Sequence, residues 1–229
     1  MSIIINQQHS FMQPYLRAAT KGNAEPSHHT PVLLSSTDIY LPSPDRITDE
    51  NGTVDQNSKW FEIEQEFIQS HKGEAIAILR AAPIVGTGMQ GFVRRLAEEI
   101  HRGTFLHFPG NECRISVVHA VDVAASLVEL SSIRFAAGST SIYNISDGVD
   151  PTIHDLAEAL AFRMNNKRIS TLSTKPQQWL GRMVYGSKKY GMYTTDRRYS
   201  SLRLRETIKQ KPVDVCEYLH NHIYDECSL

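Results

Sequence analysis

The chain has 229 residues, 41% of them hydrophobic and 21% charged, with 24 basic side chains against 25 acidic ones. That length buries the core of one large domain, or of a domain with a small lobe, and the balanced charge leaves no electrostatic footprint for nucleic acid. No apolar run approaches the ~18 residues of a membrane span, and residues 1–5 lack the basic flank and cleavage site of a secretion signal, so no membrane partner and a cytoplasmic location are expected.

Residues 11–19 take helical spacing with Pro14 in the first turn, and 21–31, rich in turn formers, read as a loop. Residues 32–34 predict a short buried strand that ends in the hydroxyls of Ser35, Ser36 and Thr37, the position where open α/β sheets place their chemistry. After a polar loop over 41–58, Trp60, Ile63 and Phe67 share one face of a helix that Gly73 stops. Residues 75–79 suit a buried parallel strand. Beyond Gly86-Thr87-Gly88, helical spacing in Phe92, Val93, Leu96 and Ile100 runs to Gly103.

A short strand follows at 115–118, a helix over 121–135 with Gly138 as its stop, a strand at 141–145 and a turn at Asp147-Gly148. Thr152 opens a capped helix reaching about Met164, which Asn165-Asn166 ends. Residues 167–195 are polar and poorly periodic, and Val215, Leu219, His222 and Ile223 mark a last amphipathic helix. Alternating strands and helices predict a doubly wound sheet. Cys113, Cys216 and Cys227 are odd in number and fit neither a C-x-x-C pair nor a zinc framework, so they read as reduced structural thiols and no metal is expected.

Three pieces in fixed order carry a family pattern: Ser35-Ser36-Thr37-Asp38-Ile39-Tyr40; Ile78-Leu79-Arg80 leading to Val85-Gly86-Thr87-Gly88; and Val118-His119-Ala120-Val121-Asp122-Val123-Ala124. They resemble S-S-x-x-V-Y-G, I-L-R-x-x-x-x-Y-G-P-G and V-H-V-x-D-[VI]-A of the extended short-chain dehydrogenase/reductase family, the NAD(P)-dependent sugar epimerases, dehydratases and reductases. Ile142-Tyr143-Asn144-Ile145 falls where that family reads Y-N-[VI]. The resemblance covers about 32–164 well and the C-terminal part loosely, through Thr195-Asp196-Arg197-Arg198 and Lys211-Pro212.

The fold the resemblance implies is α/β, a partial doubly wound, Rossmann-like parallel sheet with a small C-terminal α+β substrate lobe. Residues 1–110 would form the remnant core, and 111–229 the lobe, with one strand and one helix returning to the core. NAD or NADP is the implied cofactor, if one is bound, and a nucleotide-sugar-like or related carbonyl compound the implied substrate. By position, Ser36 takes the place of the catalytic hydroxyl; Ser35, Ala82 and Pro83 would meet the cofactor; Thr37, Gly86 and Arg114 would meet substrate, Arg114 as a bidentate diphosphate contact. Equally, Ser35, Ser36 and Thr37 serve as plain hydrogen-bonding groups at a strand end. The resemblance further implies a buried ion pair for Arg80 and a loop-fixing role for His119. Asp122, beside an apolar helical run, suits an N-cap.

Family chemistry uses a tyrosine whose high pKa a nearby lysine lowers. The Y-x-x-x-K site falls on Asn57-Ser58-Lys59-Trp60-Phe61-Glu62-Ile63-Glu64. With Trp60 at the tyrosine, Glu64 stands at the lysine; with Lys59 as the lysine, Asp55 stands at the tyrosine. Indole has no proton to exchange near neutral pH, and a carboxylate raises a neighbouring phenol. Trp60 is expected to anchor its helix in the core. No G-x-x-G-x-x-G or G-x-G-x-x-G run, which a pyrophosphate requires, precedes the strand at 32–34; Gly86 and Gly88 match the family's loop beyond the strand at 75–79 and otherwise mean a turn. If Asn6 and Ala18-Ala19 belong to the family's N-x-x-x-T helix, the first β-α-β-α-β half is missing, and an exposed sheet edge calls for self-association or a complementing N-terminal partner. His28, His29, His220 and His222 have no partners at metal spacing and read as solvated or helix-face residues. Two functions stand: a weak or inactive NAD(P)-dependent epimerase, dehydratase or reductase, or a catalytically inactive relative that binds or interacts.

Overall fold

The computed structural model describes residues 3–21, 29–43, 46–107, 113–164, 169–171, 183, 186 and 190–221. The expectations for Asn165-Asn166, His28, His222, Ile223 and Cys227 lie outside the described residues.

At the centre stands a four-stranded sheet of β1 (Ile3–Ile5), β2 (Val32–Ser36), β4 (Ile76–Ala81) and β8 (Thr140–Ile145), in the order β1-β2-β4-β8. Every pairing in it is parallel. Its two inner strands are buried along their whole length, as parallel strands covered on both faces must be. The period of two sorts their side chains. Val32, Leu34, Ala77 and Leu79 join a cluster with Leu127 and Leu130, while Leu33, Ile76 and Ile78 join Phe67 on the other face. The first cluster lies under α1 (Gln13–Thr20) and α4 (Ala120–Ser132), the second under α2 (Lys59–Ser70). Helices on both faces make the sheet doubly wound.

Strand β1 pairs with β2 from Ile3↔Val32 to Ile5↔Leu34 and leaves Ile4 exposed at the sheet edge. Asn6 then caps a 3-10 segment over Gln7–Met12, its Oδ1 accepting from the His9 N–H at 3.2 Å. Pro14 sits in the first turn of α1, where its missing N–H is no loss. Two-residue strands β3 (Ile47–Thr48), β5 (Ile84–Val85), β6 (Leu106–His107), β7 (Val118–His119), β9 (Ser170–Thr171) and β10 (Arg198–Tyr199) form three small parallel pairs. A second apolar cluster joins α3 (Gly91–His101), α5 (Ile153–Arg163) and α7 (Val215–Asn221); α6 (Leu202–Thr207) packs back on β8. Thr152 and Asp155 form the expected capping box on α5, each bond 3.0 Å.

One expected cap is different. His119, not Asp122, is the N-cap of α4: its backbone is extended and its Nδ1 accepts from Val121 N at 3.3 Å. Asp122 lies within the first turn, and its carboxylate accepts from Val213 N at 2.9 Å and from Gln210 Nε2 at 3.1 Å, tying the approach to α7 onto α4. Among the described residues no helix is long and apolar enough to cross a membrane.

Candidate functional site

One rung of the sheet is polar. Register places Ser35, Arg80 and Asn144 side by side on β2, β4 and β8, directly beyond the apolar rung of Leu33, Ile78 and Ile142 that α2 covers. Buried polar groups here need partners, and α2 brings one. Glu64 Oε1 accepts from Ser35 Oγ at 2.6 Å and from Arg80 Nε at 2.9 Å, and its Oε2 accepts from Arg80 Nη2 at 2.7 Å. Arg80 Nη1 donates to Tyr40 Oη at 2.9 Å, and Tyr40 Oη donates to Asn144 Oδ1 at 2.8 Å. The Asn144 backbone N–H is in turn bonded to Glu50 Oε1 at 2.8 Å. The Arg80 and Glu64 side chains are 5% and 3% exposed, so this is a bidentate pair held out of water. Burial works against the Arg80 charge, but Glu64 and Tyr40 outweigh it and hold the guanidinium protonated. Burial raises the Tyr40 phenol above its usual value, with Arg80 pulling the other way.

Beyond the C-terminal ends of β2 and β4 lies a cleft of ≈ 300 Å³. Ser36, Asp38 and Trp60 line it together with Ala81, Ala82 and Pro83; His9 comes from the 3-10 segment, and Gln90 and Arg95 from the start of α3. Ser36 Oγ caps a short 3-10 turn over Thr37–Ile39 by accepting from Asp38 N at 3.1 Å. Trp60 heads α2, whose N-cap Ser58 accepts from its N–H at 3.2 Å, and its side chain is 8% exposed in the core. The His9 ring stacks on Trp60 with centroids 5.0 Å apart and planes 22° from parallel. Burial pushes His9 down to about 4, so the ring is neutral at physiological pH.

The cleft brings together three residues singled out from the sequence: Ser36, Ala82 and Pro83. The others lie elsewhere. Ser35 faces α2 and is fully buried against Glu64, away from anything a cofactor could touch. Thr37 is fully buried and donates to the Ala81 carbonyl at 3.3 Å. Gly86 packs so closely that a Cβ there would come within 2.7 Å of Tyr15 Oη and 2.8 Å of Ala120 Cβ. Arg114 has its Nη1 on the Asp150 carbonyl at 2.9 Å, and its backbone N on Asp196 Oδ1 at 2.8 Å. Of the two registers for Y-x-x-x-K, only the first brings its residue to the cleft: Trp60 lines it, whereas Lys59 is an exposed first residue of α2 and Asp55 caps a turn at Asn57. Glu64, at the lysine position, is fully engaged with Arg80. His9 and Arg95 were not found by sequence reasoning, since no motif or spacing singles out either residue.

A dinucleotide needs bare backbone open to its diphosphate. The run Gly86-Thr87-Gly88-Met89-Gln90-Gly91 has the G-x-G-x-x-G spacing and leads into α3; Tyr15 and Phe11 pack against Gly86 and Gly88, while a Cβ at Gly91, on the cleft wall, would meet nothing within 4 Å. Gly86 and Gly88 do not offer that opening. Nor is any group of three or more His, Cys, Asp or Glu side chains among the described residues placed to hold a metal ion.

No protein-family model matches the chain, and no curated protein sequence matches it. Solved structures do match in shape. MoeE5 in complex with UDP-glucuronic acid and NAD is 17% identical with a TM-score of 0.63, over 94% of this chain and 68% of that one. The human epimerase family protein SDR39U1 (isoform 2) with NADPH is 13% identical with a TM-score of 0.59, over 95% and 75%. RMD from Pseudomonas aeruginosa with NADPH is 18% identical with a TM-score of 0.60, over 85% and 65%. The chain is therefore an α/β protein of the Rossmann-like class. Within that class its fold is that of the extended short-chain dehydrogenase/reductase and NAD-dependent epimerase proteins.

Proposed function

We propose that this chain is a ligand-binding relative of the nucleotide-sugar epimerases, one that holds a nucleotide-sugar-like or related small molecule in the Ser36–Trp60 cleft and performs no tyrosine-dependent hydride transfer. The observation that carries this reading is the pair at the head of α2. Trp60 lines the cleft, and in the register that sets it at the family's tyrosine the proton-exchanging phenol is replaced by an indole, which neither gives nor takes a proton at neutral pH. Glu64 follows one turn later, bound to Arg80 and facing away from the cleft. The ligand class is supported by two structures of MoeE5, one with UDP-glucose and one with UDP-glucuronic acid. It is supported too by Arg95 at the cleft rim, which makes no ion pair with any described residue and offers a guanidinium to a diphosphate.

Calorimetric titration with UDP-glucose, and with UDP alone, tests the reading. Both nucleotides are expected to bind, and Arg95→Ala to weaken both by roughly tenfold. With UDP-glucose and NAD or NADP present, the absorbance of reduced nicotinamide is expected to stay flat. Turnover above the buffer rate overturns the proposal, as does the failure of UDP-glucose to bind.

A further inference from the structure

With the His9 ring neutral, the cleft beyond β2 and β4 is lined by two charged side chains among the described residues, the Asp38 carboxylate and the Arg95 guanidinium. Both are exposed, and neither forms an ion pair with the other or with any other described residue. They stand on different elements, Asp38 on the 3-10 turn that follows β2 and Arg95 on α3. The cleft is therefore bipolar, with an unanswered anion and an unanswered cation. The turn that presents Asp38 is held in place, since Ser36 Oγ accepts from Asp38 N at 3.1 Å and the buried Thr37 donates to the Ala81 carbonyl at 3.3 Å. The field of the carboxylate reaches a buried neighbour: burial pushes the Tyr199 phenol up to about 12, and Asp38 adds to the rise.

On the reading of the cleft as a nucleotide-sugar site, we infer that Asp38 sets the class of sugar: the cleft accepts an uncharged sugar and rejects a uronic acid. The diphosphate carries the ligand's negative charge, and Arg95 is the cation that answers it. Asp38 is left for the other end of the ligand. A carboxylate accepts hydrogen bonds and donates none, so the hydroxyls of a neutral sugar suit it. A uronic acid brings a second carboxylate, which has no proton to offer and finds no further cation among the cleft's lining residues. Like charges several ångströms apart at a partly wet site repel by enough to cost roughly tenfold in affinity. Asp38 thus acts mainly against the wrong ligand, as a specificity device often does.

The test compares two ligands that differ in one group. UDP-glucuronic acid has a carboxylate where UDP-glucose has a hydroxymethyl, so the contact of Arg95 with the diphosphate is common to both and cancels in the ratio of their affinities. Both ligands are titrated into the wild-type chain and Asp38→Asn, with thermal unfolding confirming that the variant is folded. The wild type is expected to prefer UDP-glucose by roughly tenfold. Asp38→Asn keeps the shape and one acceptor oxygen but removes the charge, and is expected to bind UDP-glucuronic acid about as tightly as UDP-glucose. That equality comes from a gain in affinity for the acidic ligand, which damage to the cleft does not produce. Should Asp38→Asn fail to fold, the wild-type preference is measured at low and at high salt, where screening of the exposed carboxylate is expected to shrink it. Equal or reversed affinities in the wild type overturn the role of Asp38 and leave the cleft as a binding site, as does a preference that Asp38→Asn, or salt in its place, leaves unchanged. Failure of the wild type to bind UDP-glucose overturns the cleft reading, and this inference with it.

Discussion

Glu64→Leu is expected to destabilise the chain by about 3–5 kcal/mol, because removing one partner of a buried ion pair strands the other charge out of water. Arg80 is 4% exposed and Glu64 is the one carboxylate bonded to it, so the guanidinium has nowhere to turn. Ser35 loses its acceptor in the same substitution. The measurement is urea unfolding followed by circular dichroism, with added salt as a control, since a pair this deeply buried is little screened. Glu64→Leu combined with Arg80→Met is expected to recover most of the loss. If the single variant unfolds at the wild-type midpoint, the Arg80–Glu64 network contributes nothing to stability.

The same pair bears on function. Restoring the family's residues with Trp60→Tyr and Glu64→Lys sets an ammonium against the Arg80 guanidinium with no carboxylate between them, so the double variant is expected to fail to fold rather than to gain activity. Arg80 and Glu64 must change together, and the position of Glu64 toward α2's sheet face means that a lysine there would still point away from the cleft.

Much of the fold was legible because long buried strands announce themselves. The apolar runs at 32–34 and 75–79 became β2 and β4, and the turn after Ile145 and the threonine at 152 marked the next helix with the cap they predicted. Arg80 was legible in part: an arginine closing an apolar strand must find a partner, but nothing in its spacing names Glu64. Strand β1 was not legible, since three residues are too few to show a period, and it is the parallel pairing to Val32 that fixes them. Ser35 and Ser36 look alike in sequence and face opposite sides of one strand; which side α2 covers is a tertiary fact. His119 and Asp122 can each cap a helix, and the choice was made by Val213 and Gln210, about ninety residues further on. His9 had no motif, because its environment is assembled from Trp60, Phe11 and Leu34.

Acid should expose His9 as a source of pH-dependent stability worth about 3 kcal/mol, the free energy of a pKa that falls from 6.5 in the unfolded chain to about 4 in the folded one. Burial is the cause: the folded state refuses a proton that the unfolded state accepts. The contribution is complete above pH 6.5 and is lost progressively as the pH falls toward 4. Asp147 acts in the opposite sense over nearly the same interval. Burial raises it to about 6, against the backbone bonds from Val149 and Val215, so its neutral form favours folding at low pH and that gain disappears as the pH rises through 6. The wild-type curve alone mixes the two. The difference between wild type and His9→Phe separates them, because Asp147 is common to both chains, and losing the Leu34 bond shifts the variant by a constant. Urea unfolding between pH 7.5 and 4.5 should show that difference changing by roughly 1.4 kcal/mol per pH unit below 6.5, with the variant gaining on the wild type as acid is added. Parallel curves would mean that His9 titrates alike in the folded and unfolded chain and that burial does not hold the ring neutral in acid.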